Sequence, residues 1–247
     1  MLRRRGIPLV LCTSKTRAEV AALWAELGSE HLAVIEDGAG LLVPSGLLPR
    51  VPLSTARRTA HGRLVPLTVP YARVRRVVRW LRRRTGGAVF GFGDATAAEI
   101  GRLTGLSEPA ARRAARREFD EPFVVVREEA RWRAVIRREA ARRGLVVTHG
   151  GRFHHLHGPV DKGGAVRLVR RLLERAGGPV RLIGLGDSPL DMPLLTATDW
   201  PVIVPRFDGR PDAWLRRRLP HARVAPAPGP TGWNRAVRAL IDSFARS

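Results

Sequence analysis

The chain alternates short, unbroken apolar runs with amphipathic stretches, the signature of strands alternating with helices. The run "IPLVLC" (7–12) has strand length and no polar interruption, and predicts a buried strand. "TRAEVAALWAELG" repeats apolar positions at helical spacing, with Thr16 and Glu19 spaced as a capping box and Gly28 as its stop. "HLAVIEDGAGLLVP" then predicts two strands about a glycine turn. From Ser45 to about Arg63 the chain carries Pro and Arg without a clear period and is expected to be a linker.

Beyond that connector the pattern changes. Helix "YARVRRVVRWLRRR", strand "AVFGFG", helices "TAAEIGRLTG" and "EPAARRAARR", strand "FVVV", helix "EARWRAVIRREAARRG" and strand "LVVTHG" form an α+β segment that interrupts the earlier alternation. Helix "GGAVRLVRRLLERAG" and strand "RLIGLGD" then resume it. The expected fold class is α/β, with a Rossmann-like parallel-sheet core in two parts, residues 1–63 and 154–247, and an inserted α+β cap, residues 64–153.

The formal charge of +22 raises a nucleic-acid partner. The basic residues are nearly all Arg, spread over helix faces without interleaved aromatic platforms. Solvated helix surfaces are the expected reading, with no nucleic-acid partner, and a basic nucleic-acid-binding protein is the minor alternative. Lysine is confined to Lys15 and Lys162, both in loops between elements. Cys12 is the one cysteine, so an intrachain disulfide or a thiolate zinc cluster is excluded. "HGGRFHHLH" lacks the helical spacing of zinc sites. No apolar run approaches bilayer length, and "MLRRRGIPLVLC" is too short in its apolar part for a signal peptide, so a cytoplasmic protein without a membrane partner is expected.

Three loops carry candidate chemistry. In "LCTSKT", Thr13 and Ser14 follow a strand and Lys15 adds charge at a helix start, a seat for phosphate; the same hydroxyls could simply cap the helix. In "DKGGAV", Lys162 opens a helix and could neutralise a phosphate or a carboxylate, or stand at the surface. In "GDSPLD", Asp187 and Asp191 share the carboxyl end of a strand, where α/β sheets bind ligands, and suit a magnesium ion or a capped turn. "GGRF" opens the backbone beside Arg152, whose fork suits phosphate or carboxylate, and is also compatible with a tight hairpin.

In order, "LCTSKTRAEV", "EDGAG", "FGDATAAEIGRLTGLS", "THGGRFHHL", "DKG", "GLGDSPLDMPLL" and "GPTGWNRAV" resemble the capped haloacid dehalogenase-like hydrolases, and within them the mannosyl-3-phosphoglycerate phosphatase family. The resemblance spans essentially the whole chain. It implies a magnesium-dependent phosphatase acting on a small phosphorylated substrate, mannosyl-3-phosphoglycerate or a close glycosyl phosphoglycerate. By matching position, Thr13 would be the second-motif hydroxyl and Lys162 the third-motif lysine. Asp187 would be a direct magnesium ligand, with Asp191 beside it. Ser14, Lys15, Glu36, Gly150, Gly151 and Arg152 would hold the substrate.

The resemblance also shows two departures. Leu190 stands where the family has Asn before the second aspartate of the fourth motif. The first motif, an Asp-x-Asp-Gly strand end that supplies the nucleophile and further metal ligands, would precede "IPLVLC", and no Asp-x-Asp occurs among the 247 residues. The expectation is therefore a core whose first strand is not in this chain, able to bind but not to turn over. A non-catalytic phosphate-ester binder is the alternative. Nothing in the residues bears on oligomeric state.

Overall fold

The computed structural model describes residues 1–48 and 53–244. The chain divides into two compact units, residues 1–160 and 161–247.

In the first unit, strand β1 (Val10–Cys12), helix α1 (Arg17–Leu27), strands β2 (Leu32–Ile35) and β3 (Gly40–Val43), and then β4 (Arg57–Thr59) and β5 (Gly62–Pro66) follow in order. The strands form one sheet, ordered β1-β2-β3-β5-β4, in which β1 and β2 are parallel and the other pairs antiparallel. Helix α1 starts at the predicted capping box: Glu19 N donates to Thr16 Oγ1 at 3.2 Å and Thr16 N donates to the Glu19 carboxylate at 2.9 Å. It buries Val20 and Trp24 against Ala33, Ile35, Leu42, Leu64 and Phe119.

The stretch expected to be a linker is in part sheet. β5 pairs with β3 from Gly40–Pro66 to Val43–Arg63, and β4 pairs with β5, so a boundary at 64 would cut through a strand. Arg57, Arg58 and Arg63 interrupt any apolar alternation there, because β4 is an exposed edge and only Leu64 and Val65 turn inward. Residues 49–52 of that stretch lie outside the described residues.

Helix α2 (Tyr71–Arg84), strand β6 (Val89–Gly91), helices α3 (Ala97–Thr104) and α4 (Glu108–Ala114), strand β7 (Glu121–Val125), helix α5 (Glu129–Ala141), and strands β8 (Val146–Gly150) and β9 (Phe153–His157) complete this unit. Their strands form an antiparallel sheet ordered β6-β7-β9-β8. Val74, Val77, Val78 and Leu81, one stripe of α2, pack with Ile136 and Ala140 of α5 on Val89, Phe123 and Leu156. Helices α3 and α4 close around Phe92, with Phe153 at the edge. Strand β9 is absent from the sequence-based reading, and it carries the cap sheet to His157, past the expected limit at 153. Its histidines conceal an apolar period: His154 is buried and stacks on Phe123.

The second unit runs α6 (Lys162–Gly177), β10 (Ile183–Gly186), α7 (Met192–Thr196), β11 (Trp200–Ile203), α8 (Ala213–Arg218), β12 (Arg223–Val224) and α9 (Gly229–Phe244). β10, β11 and β12 are parallel, and Val202, Val204, Ala225 and Leu240 lie at the centre of its core. The fold is α/β, a Rossmann-like core with an α+β cap. Among the described residues no helix is long and apolar enough to cross a membrane.

Candidate active site

Strand β1 ends in a loop that the main chain ties to the turn after β2. Thr13 N donates to Val34 O at 3.0 Å, Asp37 N donates to Thr13 O at 3.1 Å, and Glu36 N donates to Lys15 O at 3.1 Å. Glu36 and Asp37 both hold left-handed backbone, with φ of 47° and 56°. Non-glycine residues accept this costly conformation where their surroundings determine it. Thr13 Oγ1 accepts from Lys15 N at 3.2 Å, while Ser14 and Lys15 are exposed. Lys15 Nζ lies 3.7 Å from Glu19, so its charge is shared with the helix surface.

What determines that conformation is a buried cluster. Both oxygens of Glu36 accept main-chain hydrogen bonds: Oε1 from Glu118 N at 2.9 Å, and Oε2 from Phe119 N at 2.8 Å and Asp120 N at 2.9 Å. Glu36, expected among the substrate contacts, is thus engaged with the connector between α4 and β7. Burial and the neighbouring Asp120 push its carboxyl up to about 8, against the pull of Arg117 and a main-chain donor. The buried Arg117 donates from Nε to Asp120 Oδ1 at 2.6 Å and from both terminal nitrogens to Ser14 O at 3.1 Å. Asp120 Oδ2 lies 2.8 Å from His155 Nδ1 on β9. Although burial acts the other way, Arg117 and His155 hold the Asp120 carboxyl well below the usual range.

The "GGRF" segment forms the turn between β8 and β9. Gly150 pairs with Phe153, leaving a two-residue loop of Gly151, in left-handed backbone with φ 59°, and Arg152. Arg152 is exposed, and its guanidinium donates to Thr104 O at 3.3 Å.

In the second unit, Asp161 caps α6 by accepting from Gly164 N at 2.7 Å, which sets Lys162 as the helix's first residue. Lys162 Nζ donates to Asp191 Oδ1 at 2.8 Å, and both side chains are nearly buried. Asp191 Oδ2 accepts from Asp187 N at 3.1 Å, Ser188 N at 3.2 Å and Ser188 Oγ at 3.0 Å. A Cβ at Gly186 would collide with the Asp191 side chain, so this close loop depends on glycine at the strand end. Asp187 is exposed; partial burial and the adjacent Asp191 carboxylate push its carboxyl above the ordinary value. Although burial acts the other way, Lys162 and the loop donors hold Asp191 below its own. Leu190 is half-buried beside them.

Similarity to known proteins fits these two groups of residues. No protein-family model matches the chain. It is 35% identical over 241 residues to the glucosyl-3-phosphoglycerate/mannosyl-3-phosphoglycerate phosphatase of Methanococcoides burtonii, covering 98% of this chain and 87% of the relative. The chain belongs to the glucosyl-3-phosphoglycerate/mannosyl-3-phosphoglycerate phosphatase family. It is 34% identical to the Persephonella marina enzyme of the same description, covering 99% of this chain and 88% of the relative. A haloacid dehalogenase-like hydrolase from Bacteroides thetaiotaomicron shares the fold, with a TM-score of 0.63 at 13% identity over 98% of this chain and 88% of that one.

A member of this phosphatase family is a phosphoric monoester hydrolase. Its first unit brings the Thr13 loop, Glu36, Arg117, Asp120 and His155 into one network, and leaves Arg152 at a hairpin tip. Its second unit brings Lys162, Asp187 and Asp191 together. Sequence reasoning missed Arg117, Asp120 and His155. Arg117 lies in an arginine-rich helix end, and its one distinguishing signal is the apolar and acidic run "EFDEPF" that follows. For a hard cation the donor set fits in part: Asp187 is an exposed carboxylate at a strand's carboxyl end, while both Asp191 oxygens already accept protein hydrogen bonds. Among the described residues no group of three or more His, Cys, Asp or Glu side chains could hold a metal ion by itself. Magnesium takes one or two protein carboxylates and completes its shell with water and substrate oxygens, and of the two carboxylates here Asp187 is the one that would hold it.

Proposed function

We propose that this protein binds mannosyl-3-phosphoglycerate or glucosyl-3-phosphoglycerate as a cytoplasmic, magnesium-dependent phosphatase of that substrate class. The observation that carries the reading is the pairing of Lys162 with a buried Asp191 beside an outward-facing Asp187, in a chain 35% identical to a phosphatase of that description. Asp187 would hold the magnesium ion, which when bound polarises phosphoryl oxygens. Asp191 holds Lys162 Nζ and shapes the loop, so that an ammonium stands ready for phosphate charge without rearrangement. The Thr13 hydroxyl offers a hydrogen bond to a phosphoryl oxygen, and Arg152 offers its fork to a carboxylate or phosphate.

Phosphoryl transfer through an aspartyl nucleophile needs a carboxylate that these residues do not supply, since no Asp-x-Asp occurs among them. The 247 residues by themselves are therefore proposed to bind the ester and release no phosphate. Ester binding without turnover is the second reading, and one experiment separates the two. Phosphate release from mannosyl-3-phosphoglycerate with magnesium is measured for the 247-residue chain, for the chain extended at its N-terminus by a strand that ends in Asp-x-Asp-Gly, and for the extended chain with Asp187→Ala. Turnover only in the extended chain with Asp187 intact is expected. Turnover by the 247 residues alone overturns the dependence on an added nucleophile, and full activity with Asp187→Ala overturns the metal assignment.

A further inference from the structure

The β8–β9 hairpin carries four histidines. His154 stacks on Phe123 and places Nε2 3.1 Å from Glu129, while His149 packs edge-on against it. His157 uses both nitrogens, Nδ1 on Gly158 O at 2.7 Å and Nε2 with Thr148 Oγ1 at 3.1 Å. Of the four, His155 has its ring nitrogen fixed on a buried carboxylate. Its Nδ1 is fixed on Asp120 at 2.8 Å, but Nε2 has no protein partner among the described residues and is not among the polar atoms sealed from solvent.

The alternation of β9 sends His154 and Leu156 to the side covered by α2 and α5, and His155 to the other face, level with Pro122 and Thr148. Asp120, paired with Arg117, is a carboxylate and can only accept, so the proton of a neutral His155 ring sits on Nδ1 and a lone pair remains at Nε2. An acceptor repels carboxylate and dianionic phosphate oxygens, and it suits a hydroxyl. Through Asp120 and Arg117 this ring belongs to the same network that holds Ser14 next to Thr13. The Thr13 loop and the ring are thus tied into one hydrogen-bonded network.

We infer that His155 is a specificity-determining residue: its Nε2 accepts a hydrogen bond from a hydroxyl of the substrate's sugar, and Asp120 is the positioning residue that fixes the tautomer. The inference rests on the ester-binding reading above and deepens it, since it assigns the sugar, rather than the phosphoglycerate, to this side chain.

The test is calorimetric binding of inorganic phosphate, 3-phosphoglycerate and mannosyl-3-phosphoglycerate to the 247-residue chain, with ¹⁵N NMR of the histidine rings. In the wild type the sugar is expected to tighten binding over 3-phosphoglycerate. His155→Ala should lose about tenfold of that gain, the range of one hydrogen bond, while keeping its affinity for 3-phosphoglycerate, which also shows that the variant is folded. His155→Gln, with an acceptor at similar reach, should keep part of the gain. The His155 Nε2 resonance should move with the sugar-bearing ester and not with 3-phosphoglycerate, and Asp120→Asn should shift the tautomer signature. Retention of the sugar gain in His155→Ala, or an equal loss for 3-phosphoglycerate, overturns the inference and leaves the phosphatase reading standing. A wild type that binds none of the three overturns both.

Discussion

Arg117 Nη1 and Nη2 both donate to the carbonyl oxygen of Ser14, each at 3.1 Å. A guanidinium from the connector between α4 and β7 thereby grips the main chain one residue after Thr13. The same connector lends its N–H groups to Glu36 and pairs Glu118 with Arg17 at 2.7 Å, while Arg113 O in the last turn of α4 accepts from Thr16 Oγ1 at 2.9 Å. The α4–β7 connector and the Thr13 loop are joined by polar bonds inside one unit.

Removing that grip should cost more than one hydrogen bond. Arg117→Ala leaves Asp120 and Glu36 buried without their cation, and a loss of about 3–5 kcal/mol is expected in chemical denaturation. Arg117→Lys retains the charge but not the fork; it should lose less stability while speeding amide hydrogen exchange at Ser14 and Lys15. Unchanged exchange in the lysine variant would show that the loop keeps its shape without the guanidinium.

Glu36 is an acceptor for three main-chain donors, and its two simplest substitutions should separate accordingly. Glu36→Gln keeps one acceptor oxygen and should cost about 1–3 kcal/mol, whereas Glu36→Ala strands all three N–H groups and should cost more. Equal losses would remove the hydrogen bonds from the explanation. Denaturant midpoints decide it.

Acid stability should follow Asp120. Its carboxyl is held well below the ordinary range in the folded state, so it contributes stability that is present above the unfolded value, about 3.9, and lost as pH falls toward the folded one. Asp120→Asn should be less stable at neutral pH and show a flatter fall between about pH 4 and pH 2. Glu36 has the opposite sign: raised to about 8, it contributes stability that is full below the unfolded carboxyl value and is lost as pH rises toward 8. Thermal midpoints across pH 2–9 test both.

In the second unit, Lys162→Met removes the ammonium from Asp191 Oδ1 while the three loop donors remain on Oδ2. A loss of about 1–3 kcal/mol is expected, and Asp191→Asn combined with it should cost less than the sum of the two single changes. Strict additivity would mean the pair is not coupled.

The sequence by itself determined elements whose signals are local. The Thr16–Glu19 capping box, the apolar stripe of α2 and the apolar run that becomes β2 lie within a few residues, where backbone geometry alone relates them. The order of motifs likewise determined the family, because Thr13, Lys162, Asp187 and Asp191 are recognised by their neighbours in the chain. Strands β4 and β5 were hidden, since β5 is held by pairing with β3 about twenty residues away, β4 joins the sheet only through β5, and arginines erase the alternation. Only the tertiary structure decided which two arginines among so many are buried among the described residues, Arg75 and Arg117, and that Glu36 faces the main chain of residues 118–120. It also decided that, of the four hairpin histidines, His155 meets the buried Asp120. Burial and hydrogen-bond direction depend on atoms far apart in sequence, and no local pattern encodes which of several like residues meets them.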